Sequence, residues 1–266
     1  MIRLAFICPG NKGDLEKYAV LGDIHLLLEH LVEEGNEYTA FYKDRVAKKE
    51  LVILDNGLFE FHVAAPTERI LEKAKIVGAK VLVAPDVLYD AAGTLASTKA
   101  FTEEVTKADP ELMTMAVPQA NTAEEWIQNY QDLCKVPGVR FIGMSCLSIP
   151  HCFKEITKSD DVGVNRVACM QELIKRKVVD PNKWHHLLGL GTDVNELAIQ
   201  SYIGIAASND SSSAILHGMR GITYKDGKVP GGKLKDKMDF TAKINTESEP
   251  AILLNMLTLH KFSKGI

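Results

Sequence analysis

Three aspartates and a glutamine each close an apolar run in this chain. Asp55 ends Leu51-Val-Ile-Leu-Asp55, Asp86 ends Lys80-Val-Leu-Val-Ala-Pro-Asp86, Gln119 ends Met113-Thr-Met-Ala-Val-Pro-Gln119, and Asp210 ends Tyr202-Ile-Gly-Ile-Ala-Ala-Ser-Asn-Asp210. Two more runs, Arg140-Phe-Ile-Gly-Met-Ser145-Cys and His186-Leu-Leu-Gly-Leu-Gly191-Thr, end on small polar residues. A carboxylate in such a place can act as a nucleophile or carry a proton. Each has a bland explanation too. Asp210, within Ser208-Asn-Asp-Ser-Ser-Ser213, is as readily a helix cap, and Asp55 precedes the turn pair Asn-Gly. Asp86 and Gln119 each follow a proline and could merely end a strand. The bland explanations leave one thing over: a buried parallel strand needs the apolar run but no carboxylate at its carboxyl end. In a barrel of parallel strands those ends converge on one face, where catalysis is built. That convergence predicts an enzyme.

The intervening segments must position these residues. Pro66 to Lys75, Ala91 to Ala108, Thr122 to Leu133 and Val162 to Val178 carry helical patterns, as does Asp193 to Ser201; Thr122 stands as a cap before Glu124 and Glu125. Strand alternating with helix implies a parallel sheet covered by helices. With Leu4-Ala-Phe-Ile-Cys8 the strands number seven, and Gly221-Ile-Thr-Tyr is the candidate eighth, before a turn at Lys225-Asp-Gly-Lys. A helix from Glu249 to Lys261 closes the chain. Segment 11–50 reads as an insertion, with a helix from Asp23 to Glu34 and an added strand over Asn36 to Lys43. The expectation is a single α/β domain over residues 1–266, a (β/α)8 TIM barrel with an N-terminal helical/β insertion. The rival, a doubly wound open sheet, lacks a G-x-G-x-x-G after the first strand.

The length of 266 residues suits one such barrel, and a hydrophobic fraction of 46% with 25% charged residues is ordinary for a globular protein. No apolar stretch reaches the roughly 18 residues of a membrane span. The start, Met1-Ile-Arg-Leu-Ala-Phe-Ile-Cys, reads as a strand and not a signal peptide. Five scattered cysteines without a C-x-x-C pair imply reduced thiols, a cytoplasmic setting and no structural zinc. The net charge of −4 neither requires nor forbids a nucleic-acid partner.

Five elements together resemble the tRNA-guanine transglycosylases. Leu54-Asp-Asn-Gly-Leu-Phe59 is similar to their D-S-G-G-F/Y-Q element, and Val117-Pro-Gln119 to I-V-Q-G. Phe141-Ile-Gly-Met-Ser145 resembles their I-G-G strand. Trp184-His-His-Leu-Leu-Gly-Leu-Gly191-Thr resembles Y-L-M-G-V-G-T. The stretch from Asp210 to Tyr224 looks like the archaeal D-S-A-S-Y-A-L-x-A-x-x-x-R-Y-L-T. Order and approximate spacing hold from residue 51 to about 235. The resemblance implies a TIM barrel that exchanges guanine in nucleic acid for a 7-deazaguanine of the preQ0 type, without a cofactor. Asp210 would be the nucleophile and Asp55 the acid/base. Asp86 and Gln119, with backbone groups around Gly143 and Met144, would read the purine edge, and Phe59 would stack on it.

Departures shape the expectation further. Leu58 replaces a glycine, Glu60 a glutamine and Met144 a second glycine, which implies a narrower or differently shaped base pocket. The family's C-x-C-x-x-C…H zinc cluster is absent from the sequence, as is an RNA-binding appendage. This tilts the reading from tRNA towards DNA, as in the DNA-modifying relatives. From Leu216 to Met238, Arg220, Lys225, Lys228, Lys233, Lys235 and Lys237 face only Asp226 and Asp236, a local charge of +4. Phosphate contact is the functional explanation, at Arg220, Lys225, Lys228, Lys233 and Lys235 above all; a solvated lysine loop is the plain one. Of His185 and His186, one must face the barrel interior and the other the helices, and both read as packing. Cys146 has no activating neighbour in sequence, and Trp126 with Tyr130 reads as packing. Two other functions stay open: a hydrolase releasing a purine base from a nucleoside, and a non-catalytic nucleic-acid-binding subunit. A homo-oligomer is left open, and no membrane partner is expected.

Overall fold

The computed structural model describes residues 1–232 and 237–266. Eight parallel strands line up as β1 (Arg3–Phe6), β8 (Ala206–Ser211), β7 (Trp184–Leu188), β6 (Val139–Ser145), β5 (Met113–Ala116), β4 (Val81–Val83), β3 (Val52–Asp55) and β2 (His25–Leu28). Among the described residues no regular ladder joins β1 to β2. The Leu4 carbonyl closes this seam, accepting from the N–H groups of Asp23 (2.8 Å) and Ile24 (3.3 Å). Helices intervene between the strands, giving a nearly closed (β/α)8 barrel.

The pleat sorts the side chains. Ala5, Leu26, Leu28, Ile53, Val81, Val83, Met115, Val117 and Phe141 fill the barrel interior. Leu4, Leu27, Val52, Leu54, Leu82, Ala116, Ile142 and Leu187 point outward, into a larger core beneath the helices. Strands buried on both faces read as unbroken apolar runs, which is why they were visible in the sequence.

Segment 11–50 is no insertion; it supplies the second strand. Ile24-His-Leu-Leu-Leu28 is apolar on both faces, and a leucine-rich run of that kind does not declare its period. Pairing with β3, from His25 beside Val52 to Leu28 beside Asp55, makes it a strand. The expected strand at 36–43 lies instead within the helix Glu37–Ala47, capped by Asn36, whose Oδ1 accepts from Thr39 N–H at 2.7 Å. Tyr38, Phe41, Tyr42 and Arg45 bury one face of it at helical spacing. Gly221-Ile-Thr-Tyr224 is not a strand: the Asn255 side chain accepts from Tyr224 N–H (2.8 Å) and donates to the Ile222 carbonyl (2.9 Å). Tyr202 and Ile203 end the helix Asn195–Ile203, so β8 begins at Ala206.

Candidate active site

At the carboxyl end of β3, Asp55 is half-buried, and among the described residues its Oδ2 accepts only the N–H of Gly57, at 3.0 Å. Gly57 takes φ +77, a left-handed turn that lets the chain enter the short helix Leu58–Phe61. Enclosure pushes the Asp55 carboxyl up to about 8, with the charges of Glu60, Asp210 and Asp86 adding to it. Glu60, on that short helix, is raised to about 7, first by burial and then by Asp210, with Lys237 opposing. Its Oε2 is buried without a hydrogen-bond partner among the described residues. These carboxyls hold protons near neutrality because burial, reinforced by neighbouring carboxylates, outweighs the Gly57 amide and the Lys237 charge that oppose it.

Asp210 at the end of β8 has the opposite surroundings. Its Oδ1 accepts from Gly189 N–H at 3.1 Å and lies 3.0 Å from His186 Nε2; among the described residues nothing bonds Oδ2. His186 is fully buried inside the barrel, and its Nδ1 lies 2.6 Å from Ser208 Oγ. Trp184 Nε1 donates to that same Oγ at 2.7 Å, which leaves the Ser208 proton free to point to His186 Nδ1 in the tautomer that carries its proton on Nε2. The Nε2–H then donates to Asp210. In the sequence both histidines read as packing, and the relay comes from the structure. The alternation Trp184, His186 with Ser208, Asp210 was the available signal, since paired inward positions on neighbouring strands must meet. His185 does face outward, 2.9 Å from the Tyr130 hydroxyl.

Asp86 and Gln119 meet each other. Gln119 Nε2 donates to Asp86 Oδ2 at 2.6 Å, and Asn56 Nδ2 donates to Asp86 Oδ1 at 2.8 Å. Burial raises the Asp86 carboxyl to about 6, with these donors opposing. Gln119 is wholly buried, and its Oε1 accepts from the N–H of Tyr89, a residue held at φ +62. Asn56 therefore does more than turn the chain: it ties the ends of β3 and β4 together.

Gly143 faces the interior, where an added Cβ would stand 2.6 Å from Leu188 Cδ1, so its smallness admits that leucine. Met144 points the other way, fully buried beneath the helices, and so does not narrow the mouth as expected. Its carbonyl accepts from Arg166 Nη1 at 3.2 Å. Phe59 is 42% exposed at the rim, with Lys237 Nζ 5.5 Å above its ring. That Nζ also donates to the carbonyls of Phe59 and Glu60. Glu29, at the end of β2, joins the acidic mouth beside Gly57 and is paired with Arg69 at 2.8 Å. Its strand has the sequence pattern of a helix, which hides its place at the mouth.

Lys225 and Lys228 exchange backbone hydrogen bonds of 2.9 Å around Asp226 (φ +50) and Gly227 (φ +74), the hairpin turn that Asp-Gly favours. Val194 N–H donates to Gly227 O and Val229 N–H to Thr192 O, docking this hairpin on the loop after β7. Both lysines are exposed, as is Arg220; Lys233 and Lys235 lie outside the described residues. Among the described residues no group of His, Cys, Asp and Glu is arranged to hold a metal ion, and no helix is long and apolar enough to cross a membrane. Compared with models of known protein families and with curated proteins, the chain matches none.

Proposed function

We propose that this barrel is a cytoplasmic base-exchange transglycosylase that replaces guanine by a 7-deazaguanine of the preQ0 type in nucleic acid, with DNA favoured over tRNA. The observation carrying this reading is the contrast at one mouth between a proton-holding Asp55 and an Asp210 whose Oδ1 is braced and whose Oδ2 is open. Asp210 Oδ2 attacks the anomeric carbon, the glycosidic C–N bond breaks, and the departing guanine takes the Asp55 proton. An incoming deazaguanine gives its ring N–H proton to Asp55. Its nitrogen then attacks the same carbon, and the ester bond to Asp210 breaks. The ester retains the sugar between the two bases, and protonation makes a purine a competent leaving group.

Phe59 offers a stacking face at the rim, and Lys225, Lys228 and Arg220 offer charge to the phosphates. Asp86 and Gln119 read the base edge with the hydrogen-bonding capacity left after their mutual bond. The engagement of those two side chains with each other favours a second reading, a nucleoside hydrolase in which water resolves the ester and base reading matters less. Incubation with radiolabelled guanine and, in parallel, DNA, bulk tRNA or guanosine tests both. Label entering DNA or tRNA supports exchange and names the polymer. Release of guanine from guanosine, with no label entering any polymer, selects the hydrolase. Polymer binding without either reaction points to a non-catalytic subunit.

A further inference from the structure

We propose that Arg166, which lies behind the barrel wall and outside the mouth, is a positioning residue that sets the nucleophile through a single peptide group. This rests on Asp210 being the nucleophile. Arg166 is fully buried on the helix Val162–Lys175 and ion-paired with the equally buried Glu196, Nε to Oε1 at 2.7 Å. Its Nη1 donates to the carbonyls of Met144 (3.2 Å) and Leu188 (3.1 Å), and its Nη2 to that of Gly189 (3.0 Å).

The Leu188 carbonyl and the Gly189 N–H belong to one planar trans peptide and point in opposite directions. Arg166 therefore grips that peptide from outside while its N–H meets Asp210 Oδ1 from within, at 3.1 Å. A cation at the carbonyl oxygen polarises the amide and strengthens its N–H as a donor. The following peptide is clamped too, since Asn209 Nδ2 donates to the Gly189 carbonyl at 2.8 Å. Gly189 itself stands at φ +68, and a Cβ there would approach Cys146 Sγ to 2.9 Å, so the turn that aims the N–H needs glycine. A mere staple between helix and sheet would need one carbonyl. This guanidinium takes three, at the ends of β6 and β7; one belongs to the amide that holds Asp210 and another to the peptide after it. Held this way, Oδ1 is the braced oxygen and Oδ2 the attacking one.

The test labels leucine with 13C at its carbonyl and glycine with 15N, which isolates the three Leu–Gly amides at Gly22, Gly189 and Gly191. The Gly189 resonance is the one that moves on Asp210→Ala. In Arg166→Lys, the clamp predicts an upfield Gly189 proton that no longer responds to Asp210→Ala. It also predicts a kcat for base exchange roughly ten-fold lower, with KM within about two-fold. Asn209→Ala removes one donor without stranding a charge, and is expected to move the same resonance less far in the same direction. A Gly189 resonance that keeps its position and its response to Asp210→Ala in either folded variant overturns the proposal. The spectrum needs no turnover, so absence of exchange in the wild type would sink the transglycosylase reading while the amide shift still decides the clamp.

Discussion

The β3 corner and the β7–β8 corner each present an aspartate to the same mouth, and they treat it in opposite ways. Asp55 has one backbone donor and acidic neighbours, and its carboxyl rises to about 8. Asp210 has a backbone amide and a histidine on one oxygen, with a buried arginine behind the amide. In the proposed reaction identical side chains thus divide into a proton carrier and a nucleophile through what surrounds them. The difference teaches that strand-end position selects which residues enter a site, whereas the neighbouring donors decide what each does.

Asp210→Ala should break the comparison outright, lowering exchange by at least about 10^4-fold and abolishing the covalent ester, read by mass spectrometry of the denatured protein. Asp55→Asn should cost about 10^2- to 10^4-fold and remove the alkaline limb of the kcat/KM profile, which in the wild type falls near pH 8 as Asp55 loses its proton. A sugar substrate whose leaving group needs no proton should restore much of that loss, and failure to rescue would count against the acid role. His186→Phe should cost roughly ten-fold in kcat by leaving Oδ1 to Gly189 alone. Glu60→Gln should sharpen the comparison more gently. Removing the largest neighbouring charge lowers the Asp55 pKa, so the alkaline limb moves to lower pH. An unmoved limb would place the titration elsewhere.

The same corner should show in stability. The folded protein holds protons on Asp55 (about 8) and Glu60 (about 7) that the unfolded chain releases near pH 4 to 5. Stability from this source is full below that range and is lost as pH rises through about 8. The urea midpoint should therefore fall from pH 5 to pH 9 in the wild type, and fall less in Asp55→Asn/Glu60→Gln.

Much of the fold was legible. Strands β3 to β7 announced themselves because both faces are buried, and the helix Ala91–Ala108 was read to its ends from its periodicity. β2 was not legible, since Ile24-His-Leu-Leu-Leu28 suits a buried helix as well as a buried strand. Only its ladder with β3 decides. In the site, Asp55 and Asp210 stood out as carboxylates at strand ends. His186 did not, because its meaning lies in Ser208 and Asp210, twenty-two and twenty-four residues away. Arg166 was invisible for the same reason: its carbonyl partners at Met144, Leu188 and Gly189 carry no sequence signal at all.

By itself the sequence determined the alternation of strand and helix and the presence of carboxylates at the strand ends, because both follow from local periodicity and the position of polar residues along it. Tertiary structure decided that Asp86 and Gln119 bind each other, that Met144 turns away from the mouth, and that Asp55 is enclosed beside like charges while Asp210 is braced by donors. Those outcomes depend on through-space distances and on burial, which are fixed only when the barrel closes.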